Sequence, residues 1–518
     1  MTAAWWQGLG RLKDTLYETT PREGLHPIPG SRPLTFLAAL LPPLLYYLAL
    51  LLLAPSPPPF VERPLVKVLR NILALTAGIL FFRLPLVYYV PQSIGLTYQL
   101  GLVGLYGGCR VLDAFFISPY LFDHIPRRVR YQHRPRLVQK ELEKKEWDKE
   151  WTNGGIDDPF QPGAKSLVPA GNNLDDAGAS VLSDRRSRQR GKVLTDSTMR
   201  VLRNSISGPA PVPVYETASS ETGWPTTLPD RAAWALELEL SMRGVGFTWT
   251  TADIRHTRKT WLPTVSNRIH SILVHVSPVL LVSWVTIRSI YSRYLLPIQD
   301  DSWEAYSAYN LFDDRLPIVV QLLLTGALGA FLMAAFSFGH SLFAIILHPL
   351  RPNPVAFFPP LYTTRPWDVT SVRKFWSFGW HRLFARLFLV YGVWPGEWIE
   401  RKLSGKSVQQ SADAGKVIGA FLSSAFVHSF AVRGVLAGDW VMATGEAKFF
   451  TLNGIAVVIE GAVVRAVKKR RQLRGTPGRM WYDPIVGRVW WVTVILWTGR
   501  SFARGWVKSS LVREMSFL

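Results

Sequence analysis

The residue of this chain best suited to chemistry is a histidine inside an apolar stretch. His428 lies in the segment VIGAFLSSAFVHSFAV, in which the other residues are mostly small or apolar. An ionisable side chain inside a membrane span is costly, so it tends to face the protein interior and to mark a functional site. A low dielectric also keeps an imidazole neutral and able to accept a proton. We therefore predict that His428 is a general base, with a structural histidine bonded to a neighbouring helix as the alternative.

A second cluster lies in Phe375–Phe384, FWSFGWHRLF, where aromatic residues surround His381 and basic residues lie on both sides. An aromatic, basic helix is typical of the membrane interface. Its cations would also suit the phosphates of a nucleotide-containing donor. The candidate substrate-binding residues of this cluster are Trp376, Trp380, Arg373 and Arg382. The alternative is an interfacial anchor helix that has no chemical role.

The motifs of several soluble enzyme classes are absent from the sequence. The sequence GKS at 405–407 resembles the end of a P-loop, but Glu400 stands where that motif needs its first glycine. There is no G-x-S-x-G elbow and no H-E-x-x-H zinc helix. The single cysteine, Cys109, excludes intrachain disulfides and a cysteine metal cluster, and we expect no metal and no bound cofactor. Two other histidines, His275 and His340, also lie in apolar stretches, so histidine position alone does not identify the base.

The elements that must position these residues are transmembrane helices. Of the 518 residues, 48% are hydrophobic and only 19% are charged, whereas soluble domains are about 25% charged. Leu34–Ala54 carries no charge over a length that crosses a bilayer, and it is too long and too apolar for a soluble core helix. We therefore predict an all-α polytopic membrane protein with roughly eight transmembrane helices. The predicted spans are Leu34–Ala54, Leu65–Val90, Ser93–Ile117, Ile272–Leu296, Leu316–Leu347, Lys416–Val435, Phe449–Val467 and Ile485–Trp497.

The net charge of +22 is better explained by the ends of these spans than by a nucleic-acid partner. Basic residues cluster beside apolar stretches, as in RRVR at 127–130 and KKRR at 468–471. Cytosolic loops of membrane proteins carry such residues, which also favour anionic headgroups. We predict that both segments are cytosolic loops, that membrane lipid is a partner, and that no nucleic acid is bound.

The apolar residues divide the chain into four regions. Residues 1–33 form an N-terminal segment whose apolar residues recur at helical spacing, which predicts an interfacial helix, with a frayed tail as the alternative. Residues 34–120 hold the first spans, and residues 121–265 form a cytosolic, partly disordered insert that contains a surface helix near 232–242. Residues 266–518 form a C-terminal membrane domain. No internal repeat is visible, which argues against transporters built from two similar halves.

Three segments carry a recognisable pattern. Pro359–Phe384 reads PPLYTTRPWDVTSVRKFWSFGWHRLF, SSAFVHSF ends a span with His428, and RGVGFTW stands at 243–249. Together they resemble the wax-synthase-like branch of the membrane-bound O-acyltransferases, in which S-x-R-x-F-W-x-x-x-W-H/N is followed by a span that ends in a histidine. The resemblance runs from about Trp234 to Trp506 and implies an acyltransferase core at about 350–450.

The resemblance implies acyl transfer from an acyl-CoA to a hydroxyl group. It gives His428 the role of base and His381 that of a group that orients the acceptor or holds the carbonyl oxygen. Fungal relatives of this type act in secondary metabolism, so we expect acetyl-CoA as co-substrate, an apolar terpenoid-like alcohol as acceptor, and location in the endoplasmic reticulum. Long-chain wax-ester synthesis from fatty alcohols is the alternative within the family. A proton-coupled transporter is the alternative from another class, although Asp and Glu are scarce in the predicted spans.

Overall fold

The computed structural model of the protein describes residues 20–54, 63–122, 124–126, 128, 130–131, 213–214, 224–244, 247–249, 265–296, 311–346, 361–362, 366–406, 412–476 and 480–516. Residues 1–19, which carry the predicted interfacial helix, lie outside these ranges. Most of the predicted insert 121–265 also lies outside them, and so does part of the basic segment 127–130. The predicted division into four regions therefore stays a prediction.

The described residues form a helical bundle. Its longer helices are, in chain order, α1 Phe36–Leu51, α2 Pro64–Val87, α3 Ile94–Leu121, α4 Leu228–Leu240, α5 Arg268–Leu295, α6 Ile318–Ile346, α7 Trp394–Ser404, α8 Asp413–Arg433, α9 Thr444–Leu473 and α10 Asp483–Lys508. Shorter helical segments are Leu311–Arg315, Pro366–Asp368, Val372–Lys374, Phe375–Gly379, Ala385–Phe388, Leu389–Val393 and Leu511–Ser516. Among the described residues the strands are β1 Arg32–Pro33, β2 Tyr88–Tyr89, β3 Arg130–Tyr131 and β4 Pro213–Val214, with β1 parallel to β2 and β3 antiparallel to β4.

The all-α class is confirmed, but the predicted count of eight spans is not. Six helices in the described part of the chain, α2, α3, α5, α6, α8 and α9, are long and apolar enough to cross a membrane. The helix in the first predicted span, α1, has only 16 residues. The helix in the last, α10, has 26 residues but carries charges that include Arg488 and Arg500. The KKRR segment at 468–471 is not a loop as predicted, because α9 continues as a helix to Leu473.

Helices α1 and α3 begin at polar caps, and the bundle turns apolar side chains outward. The Thr35 side chain accepts a hydrogen bond from the Ala38 N–H at the start of α1, and Ser93 accepts one from the Leu96 N–H at the start of α3. These caps satisfy N–H groups that have no partner within the helix. Side chains such as Leu65 and Val319 are 82% and 71% exposed, which suits a lipid-facing surface.

Buried polar contacts hold the N-terminal helices to α4. Arg110 of α3 donates to the carbonyl oxygens of Ser241, at 2.9 Å, and Met242, at 3.3 Å, just beyond the end of α4. The last carbonyl groups of a helix lack partners within it, and a cation satisfies both their hydrogen bonding and their partial negative charge. Arg110 therefore fixes α4 and the RGVGFTW segment that follows it against the membrane bundle.

Four glycines let α8 lie directly against the segment that precedes it. Gly415 and Gly419 of α8 face Gly392 and Gly396, which lie in Leu389–Val393 and α7. A Cβ on Gly419 would overlap the Gly392 carbonyl oxygen, and one on Gly396 would overlap the Gly415 carbonyl oxygen. Small residues four apart are the usual means of close helix packing in membranes. This contact joins the chain that follows His381 to the helix that carries His428.

The glycine contact predicts that replacing one of these glycines by alanine destabilises the protein. Glycine to alanine within a helix ordinarily stabilises the helix by about 1 kcal/mol. For Gly419→Ala we expect a loss of about 1–3 kcal/mol or more instead, because the added methyl group meets backbone that has no space to move away.

Thermal unfolding of the purified protein in detergent measures this effect. Gly329→Ala in α6 is the matched control, since a Cβ there would meet no atom within 4 Å. A Gly419→Ala protein at least as stable as the parent would contradict the close packing.

Candidate active site

His428 lies on α8 with one ring nitrogen committed to a neighbouring helix. Its Nδ1 is 2.9 Å from the hydroxyl oxygen of Tyr98 on α3. The side chain of His428 is 14% exposed, so part of the ring borders accessible space. Because Nδ1 is occupied by Tyr98, Nε2 is the nitrogen that remains for a reacting group.

A carboxyl group completes this contact. Oε2 of Glu446, on α9, is 3.6 Å from Nδ1 of His428, and the Glu446 side chain has no exposed surface. Its other oxygen, Oε1, accepts a hydrogen bond of 2.8 Å from Nε1 of Trp506 on α10. Glu446 also interacts with the Tyr98 hydroxyl. Four helices, α3, α8, α9 and α10, therefore meet around one imidazole.

An aromatic ring fixes the face of that imidazole. Phe450 stacks on His428 with ring centroids 4.6 Å apart and an angle of 22° between the planes. Phe450 lies one helical turn after Glu446, so both side chains project from the same face of α9. With one face and Nδ1 both held, the orientation of the His428 ring is determined.

His381 lies where a helix ends. The sequence predicts one aromatic, basic helix over 375–384, but the structure ends the helical segment at Gly379 and places Trp380 in an extended conformation. The His381 ring lies 4.8 Å from that of Phe336 on α6, and its Nδ1 is buried without a hydrogen-bond partner among the described residues. Burial, with smaller contributions from His428 and Arg243, lowers the pKa of His381 to about 3. His381, which lies outside the six candidate spans, is therefore neutral at physiological pH and has hydrogen-bonding capacity to spare.

A chain of ring contacts connects the two histidines. Successive ring centroids are 5.2 Å apart for His381 and Trp380, 5.9 Å for Trp380 and Trp376, and 5.7 Å for Trp376 and Phe450. Phe450 in turn stacks on His428. These separations are typical of packed aromatic pairs. The structure thus brings both predicted histidines and both predicted tryptophans to one place.

Polar contacts hold the tryptophan segment against α9. Trp376 Nε1 donates to Oδ1 of Asn453 at 3.1 Å. The Glu460 carboxylate accepts from the backbone N–H groups of Val372, at 2.8 Å, and Arg373, at 3.3 Å. A carboxylate in this position caps the start of a helix. Glu460, one of the few acidic residues in the predicted spans, thus has a structural role.

The two predicted arginines lie in the His381 segment but contact other groups. Arg373 takes part in the helix start through its backbone, and the guanidinium of Arg382 lies 6.0 Å from the ring centre of Phe378. Within the described residues, no hydrogen bond, ion pair or ring contact joins either arginine to His381 or His428. Their assignment to donor binding stays a prediction.

The two competing histidines have different surroundings. His275 is exposed, and the ring next to it is that of His270, 6.0 Å away. His340 lies one turn after Phe336 on α6, so it approaches the site from the side of His381. His428 is paired with both a hydroxyl and a carboxyl group.

Sequence reasoning missed Tyr98, Glu446 and Trp506. Glu446 stands three residues before the predicted span Phe449–Val467, and it therefore reads as part of a loop. The structure starts α9 at Thr444, which brings the carboxyl group into the bundle. An acidic residue at the edge of an apolar stretch was the available signal. Nothing local in the sequence connects Tyr98 with a histidine 330 positions later.

The arrangement around His428 is suited to proton transfer. A neutral imidazole held at Nδ1 can accept a proton at Nε2, and a buried carboxylate can stabilise the resulting cation. In the described part of the chain, no group of three or more His, Cys, Asp or Glu side chains is placed to bind a metal ion.

Comparison with known proteins relates this segment to a family of membrane-bound acyltransferases. A model of the membrane bound O-acyl transferase family matches residues 358–452, a segment that contains His381, His428 and Glu446. The predicted resemblance to this family is thereby confirmed. Three relatives match more of the chain at low identity. They are acetyltransferase eriL of Hericium erinaceus (23% identical; 53% of this chain, 68% of the relative), acetyltransferase ple2 of Rhodocybe pseudopiperita (25%; 56% and 72%) and O-mevalon transferase yanI of Aspergillus niger (23%; 53% and 62%). No solved structure matches.

The segment that carries His381 is tied to the N-terminal helices by a buried ion pair, which generates a prediction. Arg386 donates to both carboxylate oxygens of Asp113, at 2.7 and 2.9 Å, and the two side chains are 11% and 3% exposed. For Asp113→Asn we expect a loss of about 3–5 kcal/mol, because a buried guanidinium would keep its charge without its counterion. Thermal unfolding in detergent measures this loss.

Two further proteins make the Asp113 experiment specific. The double variant Asp113→Leu with Arg386→Met should recover part of the stability, since it removes both charges together. Glu23→Gln is the control, because the Glu23–Arg513 pair is 67% and 27% exposed and such surface pairs contribute about 1 kcal/mol or less. Equal stability of Asp113→Asn and the parent would show that the pair does not hold the segment.

Proposed function

We propose that this membrane-bound acyltransferase is an acetyl-CoA-dependent enzyme that acetylates a hydroxyl group of an apolar, terpenoid-like secondary metabolite. The observation that carries the proposal is the convergence of His381 and His428 on one aromatic network, inside the segment that the family model matches. A proton acceptor and a neutral hydrogen-bonding ring are the two groups that acyl transfer to an alcohol requires.

In the proposed reaction His428 is the base. The acceptor hydroxyl has a high pKa, so Nε2 of His428 removes its proton as the oxygen attacks the thioester carbonyl. A tetrahedral intermediate forms, and its collapse breaks the bond between the carbonyl carbon and sulfur. The proton on His428 then passes to the departing CoA thiolate. Ester and free CoA leave, and His428 is again neutral.

His381 supports the same step without accepting the proton. A neutral imidazole whose hydrogen-bonding capacity is unused can donate to the carbonyl oxygen as negative charge develops there. The aromatic side chains around it keep water away, which protects the thioester from hydrolysis. Trp376 and Trp380 stand between the two histidines in the series of ring contacts and would contact the acyl group or the acceptor.

Substrate access follows from the membrane setting. An apolar alcohol can enter from the lipid, whereas CoA is anionic and must come from the aqueous side, where cations bind phosphate. Arg373 and Arg382 lie on the His381 segment and are our candidates for the donor phosphates. We place the protein in the endoplasmic reticulum, where apolar intermediates dissolve in the membrane.

The choice of an acetyl donor is supported by two of the three relatives, which are named acetyltransferases. The third is named an O-mevalon transferase. A comparison of acyl donors must also include a long-chain acyl-CoA, so that wax-ester synthesis would be detected.

The histidine roles predict different responses to substitution. For His428→Ala we expect kcat to fall by about 100-fold or more, because no other group takes the hydroxyl proton. For His381→Asn we expect substantial activity to remain, because an amide can still donate a hydrogen bond, whereas His381→Ala loses about 100-fold. Acetyl transfer per folded molecule is measured in membranes with labelled acetyl-CoA.

His275→Ala is the matched control, since that histidine is exposed and outside the site. Turnover of His428→Ala near that of the parent would contradict the assignment of the base. Equal losses in His381→Asn and His381→Ala would contradict the hydrogen-bonding role of His381.

The donor prediction is tested with the parent protein. Membranes that contain it are given labelled acetyl-CoA or palmitoyl-CoA, each with a set of terpenoid and fatty alcohols. We expect label in an acetyl ester of a terpenoid alcohol. Transfer from palmitoyl-CoA to fatty alcohols, without transfer from acetyl-CoA, would identify a wax-ester synthase instead.

A further inference from the structure

We infer that Glu446, acting through Tyr98, fixes which ring nitrogen of His428 carries the proton, and that it is a positioning residue for the base. The inference rests on the proposed function, since it concerns the same proton transfer. It adds Glu446 and Tyr98 to the residues of the site. Tyr98 lies on α3, outside the segment 358–452 that the family model matches.

The geometry places the Tyr98 hydroxyl next to both partners. It lies 2.9 Å from His428 Nδ1 and also interacts with the Glu446 carboxylate. Glu446 itself is 3.6 Å from Nδ1, too far for a good hydrogen bond. The Tyr98 hydroxyl therefore connects the carboxylate to the imidazole, and the direction of its hydrogen bonds determines which nitrogen of His428 carries the proton.

The direction of these hydrogen bonds follows from the carboxylate. In the arrangement that we propose, the Glu446 carboxylate is ionised during the reaction and only accepts hydrogen bonds, so the Tyr98 hydroxyl points its proton toward Glu446. The Tyr98 oxygen then accepts from Nδ1–H of His428, which leaves the lone pair of Nε2 free. In the opposite arrangement Tyr98 would donate to Nδ1, and Nε2 would carry the hydrogen and be unable to act as a base.

The same carboxylate stabilises the charge that the reaction creates. When Nε2 takes the proton of the acceptor hydroxyl, the ring becomes a cation with N–H groups on both sides. The Glu446 carboxyl group is buried 3.6 Å from Nδ1, and in its ionised form it would stabilise this cation strongly at that depth. When Nε2 gives the proton to the CoA thiolate, the neutral ring keeps the hydrogen on Nδ1, and the starting state is restored.

The hydrogen bond from Trp506 determines how the amide group of a glutamine at position 446 would be oriented. The indole N–H of Trp506 can only donate, and it donates to Glu446 Oε1. A glutamine must therefore turn its oxygen to Trp506 and its NH2 group to Tyr98. The NH2 group donates to the Tyr98 oxygen, Tyr98 then donates to Nδ1, and the proton of His428 is moved to Nε2. Glu446→Gln keeps the size of the side chain and its hydrogen bond with Trp506. The substitution therefore alters mainly which nitrogen of His428 carries the proton.

The first test compares kinetic constants of the full-length protein in membranes. For Glu446→Gln we expect kcat to fall on the order of 10²–10⁴-fold, as happens when a catalytic histidine is held in the wrong tautomer. The KM for acetyl-CoA should change little, because Glu446 does not touch the donor. Glu446→Asp, which keeps the acceptor-only chemistry, should retain more activity than Glu446→Gln.

Glu397→Gln is the matched control. Glu397 is a buried carboxylate of α7 that pairs with Arg401 at 2.7 Å and Lys416 at 3.6 Å, away from His428. Its replacement should lower thermal stability but leave kcat within about threefold, because it has no link to the histidine.

A double variant distinguishes an effect on the tautomer of His428 from a nonspecific loss of activity. In Trp506→Phe the indole N–H is gone, so the amide of Glu446→Gln can turn its oxygen to Tyr98. We expect the Glu446→Gln change to cost at least about tenfold less in kcat in that background. Additive losses in the double variant would overturn the tautomer account. A folded Glu446→Gln protein with the kcat of the parent would also overturn it.

Tyr98→Phe decides the question if Glu446→Gln does not fold. Phenylalanine keeps the ring contact with Trp506, at 5.6 Å, and removes only the hydroxyl. We expect kcat to fall about tenfold or more with KM unchanged, and an unchanged kcat would overturn the inference. These outcomes differ from failure of the proposed function, in which the parent protein itself would transfer no acyl group from any acyl-CoA.

Discussion

The carboxyl group of Glu446 has no access to solvent, and its surroundings are those of a helical membrane bundle. Burying such a group is costly unless other side chains bind it. Trp506 supplies one hydrogen bond, and Tyr98 and His428 lie on the other side. These partners come from three different helices, so satisfying one carboxylate fixes the positions of α3, α8 and α10 around α9. The orientation of His428 is a consequence of that requirement.

The second half of the site depends on contacts of another kind. The glycines of α8 and of the preceding segment bring two backbones together, and the Asp113–Arg386 pair ties the same segment to α3. His381 is thereby held beside the aromatic side chains that lead to His428. Neither contact involves a reacting group, yet both hold the segment that carries His381 against the helices around His428. In the proposed reaction the membrane completes the site by supplying the apolar acceptor and excluding water.

The sequence predicts well what depends on local composition. Apolar stretches such as Leu316–Leu347 become long helices because a bilayer demands internal hydrogen bonding, and a histidine within such a stretch is conspicuous. The pattern at 375–384 also selects residues that the structure connects to His428 by ring contacts, although it does not reveal the break at Trp380. What cannot be predicted is pairing across the chain. Tyr98 meets His428 only through packing, and Glu446 reads as a loop residue until α9 is seen to begin at Thr444.

The central claim is that Nε2 of His428 takes the proton of the acceptor hydroxyl. A cryo-electron microscopy structure of the protein with a non-hydrolysable acetyl-CoA analogue and an alcohol acceptor tests it most directly. The account predicts that the acceptor oxygen lies about 2.6–3.2 Å from Nε2 of His428, with the carbonyl oxygen of the donor near His381. An acceptor bound away from His428, or a donor whose thioester lies outside the space between the two histidines, would contradict it.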